Sequence, residues 1–177
     1  MDEKAIKIPL TLMGIISEIV ALIGLLLPII YMAAVWSTIP DIVPTHFGLS
    51  GQANAWGSKG SLLGLVGISI FIYILLTVTS KFPRAYNFPW PITEQNVEVQ
   101  YKIGRSMVQT LKAEVLWIFA YINWISVQGA LKKGMALGTA FLLVSFLLVF
   151  GTIGIYISRA FRANSAICLS ENNVGLK

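Results

Sequence analysis

The sequence predicts an all-α membrane protein with four transmembrane helices and an ordered extracytoplasmic loop between the first two. Two observations predict this class. Of the 177 residues, 56% are hydrophobic and 12% are charged, whereas an average soluble domain has roughly 25% charged residues. The apolar residues also lie in long unbroken runs, which is typical of transmembrane helices. We therefore expect a single integral membrane domain over residues 1–177.

The apolar runs define the spans, and the polar stretches between them define the loops. The predicted spans are residues 10–36, 61–80, 108–128 and 135–158. The first run is too long for the apolar core of a signal peptide, which has about 15 residues at most, so we interpret it as an uncleaved span. The motif-bearing outer loop is 37–60, and the cytoplasmic loop is 81–107.

The third span is the least apolar of the four. Val115–Val127 has no charged residue but contains Asn123. A span of about 20 residues must include Lys112 and Glu114 at one end, and Asn123 and Gln128 near the other. The helical spacing of apolar residues starts well before this point. We expect one long helix that begins near Glu94 and enters the membrane partway along.

Lysine and arginine counts predict the orientation. With four spans, the N-terminal segment, the 81–107 loop and the C-terminal tail share one side and carry nine of the cations, whereas the other side carries three. The nine are Lys4, Lys7, Lys81, Arg84, Lys102, Arg105, Arg159, Arg162 and Lys177; the three are Lys59, Lys132 and Lys133. We expect the protein to lie in the plasma membrane, and the positive-inside rule then places both termini in the cytoplasm. The net charge of +5 is explained in the same way and predicts no nucleic-acid partner.

The outer loop Ile39–Lys59 is rich in residues that restrict or bend the backbone. Prolines force the residues before them into extended conformations, and glycines permit tight turns. The loop is therefore expected to be ordered. Two interpretations remain open: a structured cap over the helix ends, and a binding surface whose polar groups are His46, Asp41 and Asn54.

Metal binding and catalysis find little support in the sequence. His46 is the only histidine and Cys168 the only cysteine, whereas a zinc site needs three or four such ligands. No serine lies in a nucleophile motif of the G-x-S-x-G type. We predict no catalytic residue, no metal site and no cofactor.

Three charged residues fall within predicted spans: Glu18, Lys112 and Glu114. Charges in hydrocarbon are normally paired, hydrated or close to an interface. Lys112 and Glu114 are two positions apart, so they cannot share a helix face. We predict that Glu18 pairs with Lys112; the alternative is that all three side chains reach the headgroups by snorkelling.

The outer loop also carries a motif. The run I-P-D-I-V-P-T-H-F-G-x-x-G-x-x-x-x-W-G-S-K resembles the signature loop of a bacterial and archaeal membrane family of unknown function, whose domain also forms the N-terminal part of SdpI-type immunity proteins. The matching residues are Pro40, Pro44, His46, Phe47, Gly51, Asn54, Trp56, Gly57 and Lys59. Gly48 departs from the family, which usually has Asn or Asp there. With Asp41, the matching residues form the candidate binding set.

The resemblance implies a membrane domain without assigned chemistry, and for SdpI-type members a role in protecting a cell from its own secreted toxin. We expect a non-enzymatic binding or immunity-like protein whose 39–59 loop engages a peptide, a lipid or a partner protein. The expected partners are the lipid bilayer, a peptide or membrane protein, and a second copy of the chain. The alternative function is a small transporter or channel subunit with Glu18, Lys112 and Glu114 along its path. An intramembrane enzyme comes third.

Overall fold

The computed structural model describes residues 8–9, 11–132 and 135–174. Four long helices and one two-stranded antiparallel sheet make up this part of the chain. In chain order they are α1 (Leu12–Val35), β1 (Ile42–Phe47), β2 (Ala53–Ser58), α2 (Gly60–Thr79), α3 (Val97–Leu131) and α4 (Thr139–Val174). Short 3-10 turns follow α1 at Trp36–Thr38 and α2 at Pro83–Ala85.

Within the described residues, three helical segments are long and apolar enough to cross a membrane: Leu12–Thr38, Gly60–Thr79 and Thr139–Ile167. Most of their apolar side chains face outward, since only 28%, 11% and 6% of the respective segments are buried. This is the pattern of a membrane protein whose apolar helix faces contact lipid. The helix α3 is more polar and is not among the three.

The helix α3 is the centre of the bundle, and α1, α2 and α4 each pack against it. Small residues let α1 approach α3 closely. Ala21 and Leu25 of α1 pack against Ala113 and Leu116 of α3, and a Cβ on Gly14 would lie 2.6 Å from Oε1 of Gln109. Burying α3 in this way keeps polar side chains such as Gln109 and Lys112 off the surface of the bundle.

The two ends of the bundle are built differently. At one end, the hairpin formed by β1 and β2 packs against the C-terminal part of α3. At the other end, the buried Asn96 donates a hydrogen bond to Asn164 (2.8 Å), and Gln100 donates one to the carbonyl of Ala160 (2.9 Å). These two bonds fasten the start of α3 to the C-terminal half of α4.

Several sequence predictions need correction. The outer loop was predicted within an all-α fold, but it contains a β-hairpin, because residues 42–47 and 53–58 pair across a tight turn. The fourth helix was predicted over 135–158, but it runs from Thr139 to Val174. Positive φ at Gly138 delays its start, and the contacts of Ala160 and Asn164 hold its C-terminal part.

Candidate functional site

The base of the hairpin is buried against the helices. Val43 is fully buried and Ile39 is 3% exposed, and both pack against Met32, Leu62 and Val127 from three helices. The Asp41 carbonyl accepts a hydrogen bond from the Lys59 amide at 2.8 Å. This bond closes the base of the hairpin where the chain enters and leaves it.

Packing contacts explain two of the proline and glycine positions of the loop. Pro44 is buried against Gly129 of α3, where an added Cβ would lie 3.2 Å from the proline ring. Gly57 has the same relation to Thr45, at 3.0 Å. Both contacts hold the hairpin in place.

Gly51 fixes the tip of the hairpin to the start of the last helix. Its φ is +76°, in the left-handed region that favours glycine. Its carbonyl accepts a hydrogen bond from the Leu137 amide at 2.8 Å. A Cβ at this position would lie 2.5 Å from the backbone nitrogen of Gly138. The hairpin is therefore attached to the bundle at its tip as well as at its base.

The exposed face of the hairpin carries three of the predicted residues. Asn54 and Trp56 are two residues apart on β2, so their side chains point to the same face. His46 joins them there, since its Nδ1 lies 2.5 Å from Oδ1 of Asn54. With the amide oxygen as acceptor, Nδ1 is the donor of this bond, and Nε2 is left for another partner. Trp56 is 54% exposed.

The other residues of the predicted binding set do not lie on this exposed face. Asp41 was predicted beside His46 and Asn54, but it lies at the base, where its carboxylate is 3.1 Å from Lys59 Nζ. The Lys59 ammonium also lies over the Trp36 ring at 5.5 Å. Phe47 is half-buried and Pro40 is exposed. The structure thus brings together only His46, Asn54 and Trp56 as outward-facing groups.

The second candidate site is an ion pair inside the helix bundle. Lys112 of α3 is fully buried, and its Nζ lies 2.7 Å and 2.6 Å from the two carboxylate oxygens of Glu18 on α1. The pairing predicted from the sequence is thus present. Two residues of α2 complete it: Thr77 Oγ1 accepts from Nζ at 2.7 Å, and Tyr73 donates to Glu18 at 3.0 Å.

Sequence reasoning missed the two α2 residues. Tyr73 and Thr77 are four positions apart and therefore share a helix face, which is the available signal. Their ring and hydroxyl lie at the level of Glu18, and the Lys112 ammonium sits 4.7 Å from the Tyr73 ring centroid. Three helices are joined at this point.

Glu114 does not belong to this cluster. It points from the opposite side of α3 toward α4, as the two-residue spacing from Lys112 predicts. There it accepts a hydrogen bond from the Thr152 hydroxyl, and its other carboxylate oxygen is buried without a partner in the described part of the chain. The three charged residues that were predicted to lie within spans therefore do not line one path.

The comparisons with known proteins agree with the loop motif. Residues 23–70 match the model of a family described as a domain of unknown function, DUF1648. This segment contains the whole hairpin, so the predicted resemblance to a membrane family of unknown function is confirmed there. An uncharacterized protein of Archaeoglobus fulgidus is 34% identical over 76 residues, which cover 38% of this chain and 42% of that protein. No solved structure matches the chain.

Proposed function

We propose that the chain is a non-enzymatic, multi-pass membrane protein that uses its hairpin to bind an extended peptide at the outer membrane surface. The observation that carries this proposal is the open edge of β2 beside a rigid, outward-facing set of His46, Asn54 and Trp56. The likeness to the N-terminal part of SdpI-type proteins suggests that the peptide is a membrane-active one and that binding protects the cell.

The proposal includes α3 as a fourth span. Within the predicted span 108–128, four polar side chains point into the bundle: Lys112 is fully buried, Asn123 is 2% exposed, and Gln109 and Ser126 are each 4% exposed. Hydropathy measures composition and not direction, so a helix surrounded by three apolar ones can cross the bilayer with this content. Four spans, together with the excess of cations on one side, support a cytoplasmic location for both termini and an outer location for the hairpin.

The edge of β2 suits a peptide. A two-stranded sheet leaves one edge of each strand without a neighbouring strand. β1 packs against α3 and contains Pro44, which has no N–H. The strand β2 has no proline, and Asn54, Ala55 and Trp56 are exposed. An added strand would gain main-chain hydrogen bonds there, with alternate side chains meeting the exposed face.

The attachment of the hairpin at both ends favours a role in binding a peptide over a role as a flexible linker. Because Gly51 and Val43 hold both ends of the hairpin to the helices, little conformational entropy is lost when a partner binds. The indole of Trp56 offers a large apolar surface, whereas Asn54 and Nε2 of His46 offer polar groups. This mixture is typical of binding hot spots.

The ion pair gives weaker support to the alternative, a transporter. An ammonium has three protons, and those of Lys112 have three acceptors: both oxygens of Glu18 and the hydroxyl of Thr77. No proton remains for a cargo. The pair therefore favours a fixed connection between helices, although it is the one observation on which a transport function would rest.

The experiment compares wild type, His46→Ala and Trp56→Ala in a strain that lacks the gene, challenged with a panel of membrane-active peptides. For a peptide to which wild type gives protection, amide exchange of the purified protein is then measured with and without it. We expect slower exchange in Ala53–Ser58 and a roughly thirtyfold loss of affinity for Trp56→Ala, since truncating a central tryptophan costs about 2 kcal/mol.

Phe82→Ala is the matched control, because Phe82 is an exposed aromatic residue at the opposite end of the bundle. It is expected to leave protection and affinity unchanged. The proposal is wrong if no peptide distinguishes wild type from the empty strain, or if a bound peptide protects helix amides and leaves β2 unchanged.

A further inference from the structure

We infer that a cleft at the cytoplasmic end of the bundle binds the phosphate of an anionic phospholipid headgroup. The cleft has a volume of about 160 Å³ and lies between the start of α1 and the middle of α4, with α3 as its floor. It is separate from the hairpin and from the Glu18–Lys112 pair. It rests on the proposed topology, in which α3 and α4 cross the bilayer and this end of the bundle faces the cytoplasm.

Two cations from different helices line the cleft. Lys102 comes from α3 and Arg159 from α4. The planar guanidinium of Arg159 can present two parallel N–H groups to a phosphate, and Tyr156 supports it from below, with its ring centroid 5.6 Å away. Lys102 bonds Glu98 on its own helix at 2.5 Å. Solvent screens this pair, since the Lys102 and Glu98 side chains are 34% and 63% exposed, so it competes weakly with a phosphate.

Neutral donors also line the space between these cations, namely the hydroxyls of Thr11 and Ser106. The Tyr156 hydroxyl is not one of them, because it donates to Thr110, whose own proton is bonded to the Ser106 carbonyl. Thr11 is also the N-cap of α1, and its Oγ1 accepts from the Gly14 amide at 3.0 Å. The amides of the first helical turn have no intrahelical acceptor and carry the positive end of the helix dipole. All of these groups favour an anion.

The depth of the cleft points to a lipid rather than to a soluble anion. Ser106 lies 25 positions before the outer end of α3 at Leu131, which is roughly 38 Å along a helix, whereas a bilayer measures about 30 Å across its hydrocarbon and 40–45 Å with headgroups. Arg159 lies 20 positions from Thr139, or roughly 30 Å. Both therefore fall in the headgroup layer. Met13 and Ile103 give the cleft an apolar wall, against which an acyl chain can lie.

The test uses the full chain purified in detergent, with lipid adducts measured by native mass spectrometry. The probes are phosphatidylglycerol, phosphatidylcholine and inorganic phosphate. Wild type is expected to retain phosphatidylglycerol in preference to phosphatidylcholine. Lys102→Gln and Arg159→Gln are each expected to weaken phosphatidylglycerol binding about fivefold, the effect of one surface cation, and the double variant to lose the preference.

Arg162→Gln and Lys81→Gln are the matched controls, because both residues are exposed cations at the same end and neither lines the cleft. They are expected to bind lipid as wild type does. Arg159→Lys keeps the positive charge but loses the two parallel N–H groups of the guanidinium. Its affinity for phosphatidylglycerol is expected to lie between those of wild type and Arg159→Gln. The inference fails if the double variant still prefers phosphatidylglycerol to phosphatidylcholine. It also fails if inorganic phosphate displaces bound phosphatidylglycerol as effectively as added phosphatidylglycerol does.

Discussion

Replacing Lys112 by methionine removes the cation from the ion pair and retains most of its volume. Glu18 would then keep a carboxylate inside the bundle with only the Tyr73 hydroxyl as a donor at 3.0 Å. Removing one partner of a buried pair typically costs about 3–5 kcal/mol, because the other charge is left without compensation. The Glu18 side chain is 35% exposed, so the lower end of that range, about 3 kcal/mol, is expected.

The pairing itself is measured by a double-mutant cycle. Wild type, Lys112→Met, Glu18→Gln and the double variant are unfolded in the same detergent, and their free energies of unfolding are compared. Each single variant leaves one charged side chain without its partner. The double variant has neither charge, so no charge is left uncompensated. We expect the double variant to be more stable than Lys112→Met, with a coupling energy of about 2–3 kcal/mol.

The exposed pair Lys102–Glu98 supplies the control cycle, because it has the same residue types at a 2.5 Å separation. Its coupling energy is expected to be about 0.5 kcal/mol or less. If the Glu18–Lys112 cycle were additive, or no larger than this control, the pair would not hold the helices together and the structural interpretation would be wrong.

Three further predictions follow from single contacts. Gly51→Ala should destabilise the protein by about 2 kcal/mol or more, because it strains a positive φ and drives a methyl into Gly138; Gly64→Ala, which meets no atom within 4 Å, should be neutral or slightly stabilising in the same thermal unfolding measurement. Thr77→Val should cost about 1.5–3 kcal/mol, because it leaves one proton of a buried ammonium unpaired; a loss below 0.5 kcal/mol, the usual range of surface substitutions, would contradict this. Burial raises the pKa of Tyr86 to about 12 from 10.0, so its contribution to stability is complete below pH 10 and is lost as pH rises through 12; a Tyr86→Phe variant should lack this part of the alkaline loss, and identical pH profiles would refute the assignment.

The sequence was informative where one residue type decides the structure. Long apolar runs placed the helices, and the spacing of Lys112 and Glu114 placed them on opposite faces of α3. The pairing of Glu18 with Lys112 could be predicted because two opposite charges at similar depth have few other partners. The DUF1648 motif likewise lies where the structure has its hairpin.

The hairpin strands could not be predicted in the same way. Residues Ala53–Ser58 contain alanine, asparagine, glycine and serine, which have low strand propensity, and Pro44 interrupts the opposite strand. They pair because Val43 and Pro44 are buried against helices far away in sequence. Strand formation here depends on tertiary contacts, which local patterns do not contain.

Asn96 and the C-terminal part of α4 illustrate the same limit. Asn96 is 3% exposed and bonds Asn164 across 68 positions. Two asparagines carry no pairing signal comparable to that of opposite charges. The partner of each therefore becomes visible only in the folded structure.

The central claim, that the hairpin lies outside a four-span bundle, is tested most directly by cysteine labelling in intact cells. In a Cys168→Ser background, Ser50→Cys at the exposed hairpin tip and Gln95→Cys at the exposed start of α3 are treated with a membrane-impermeant maleimide. With the hairpin outside and the start of α3 in the cytoplasm, we expect Ser50→Cys to be labelled in intact cells and Gln95→Cys only after permeabilisation. Labelling of Gln95→Cys in intact cells, or protection of Ser50→Cys, would contradict it.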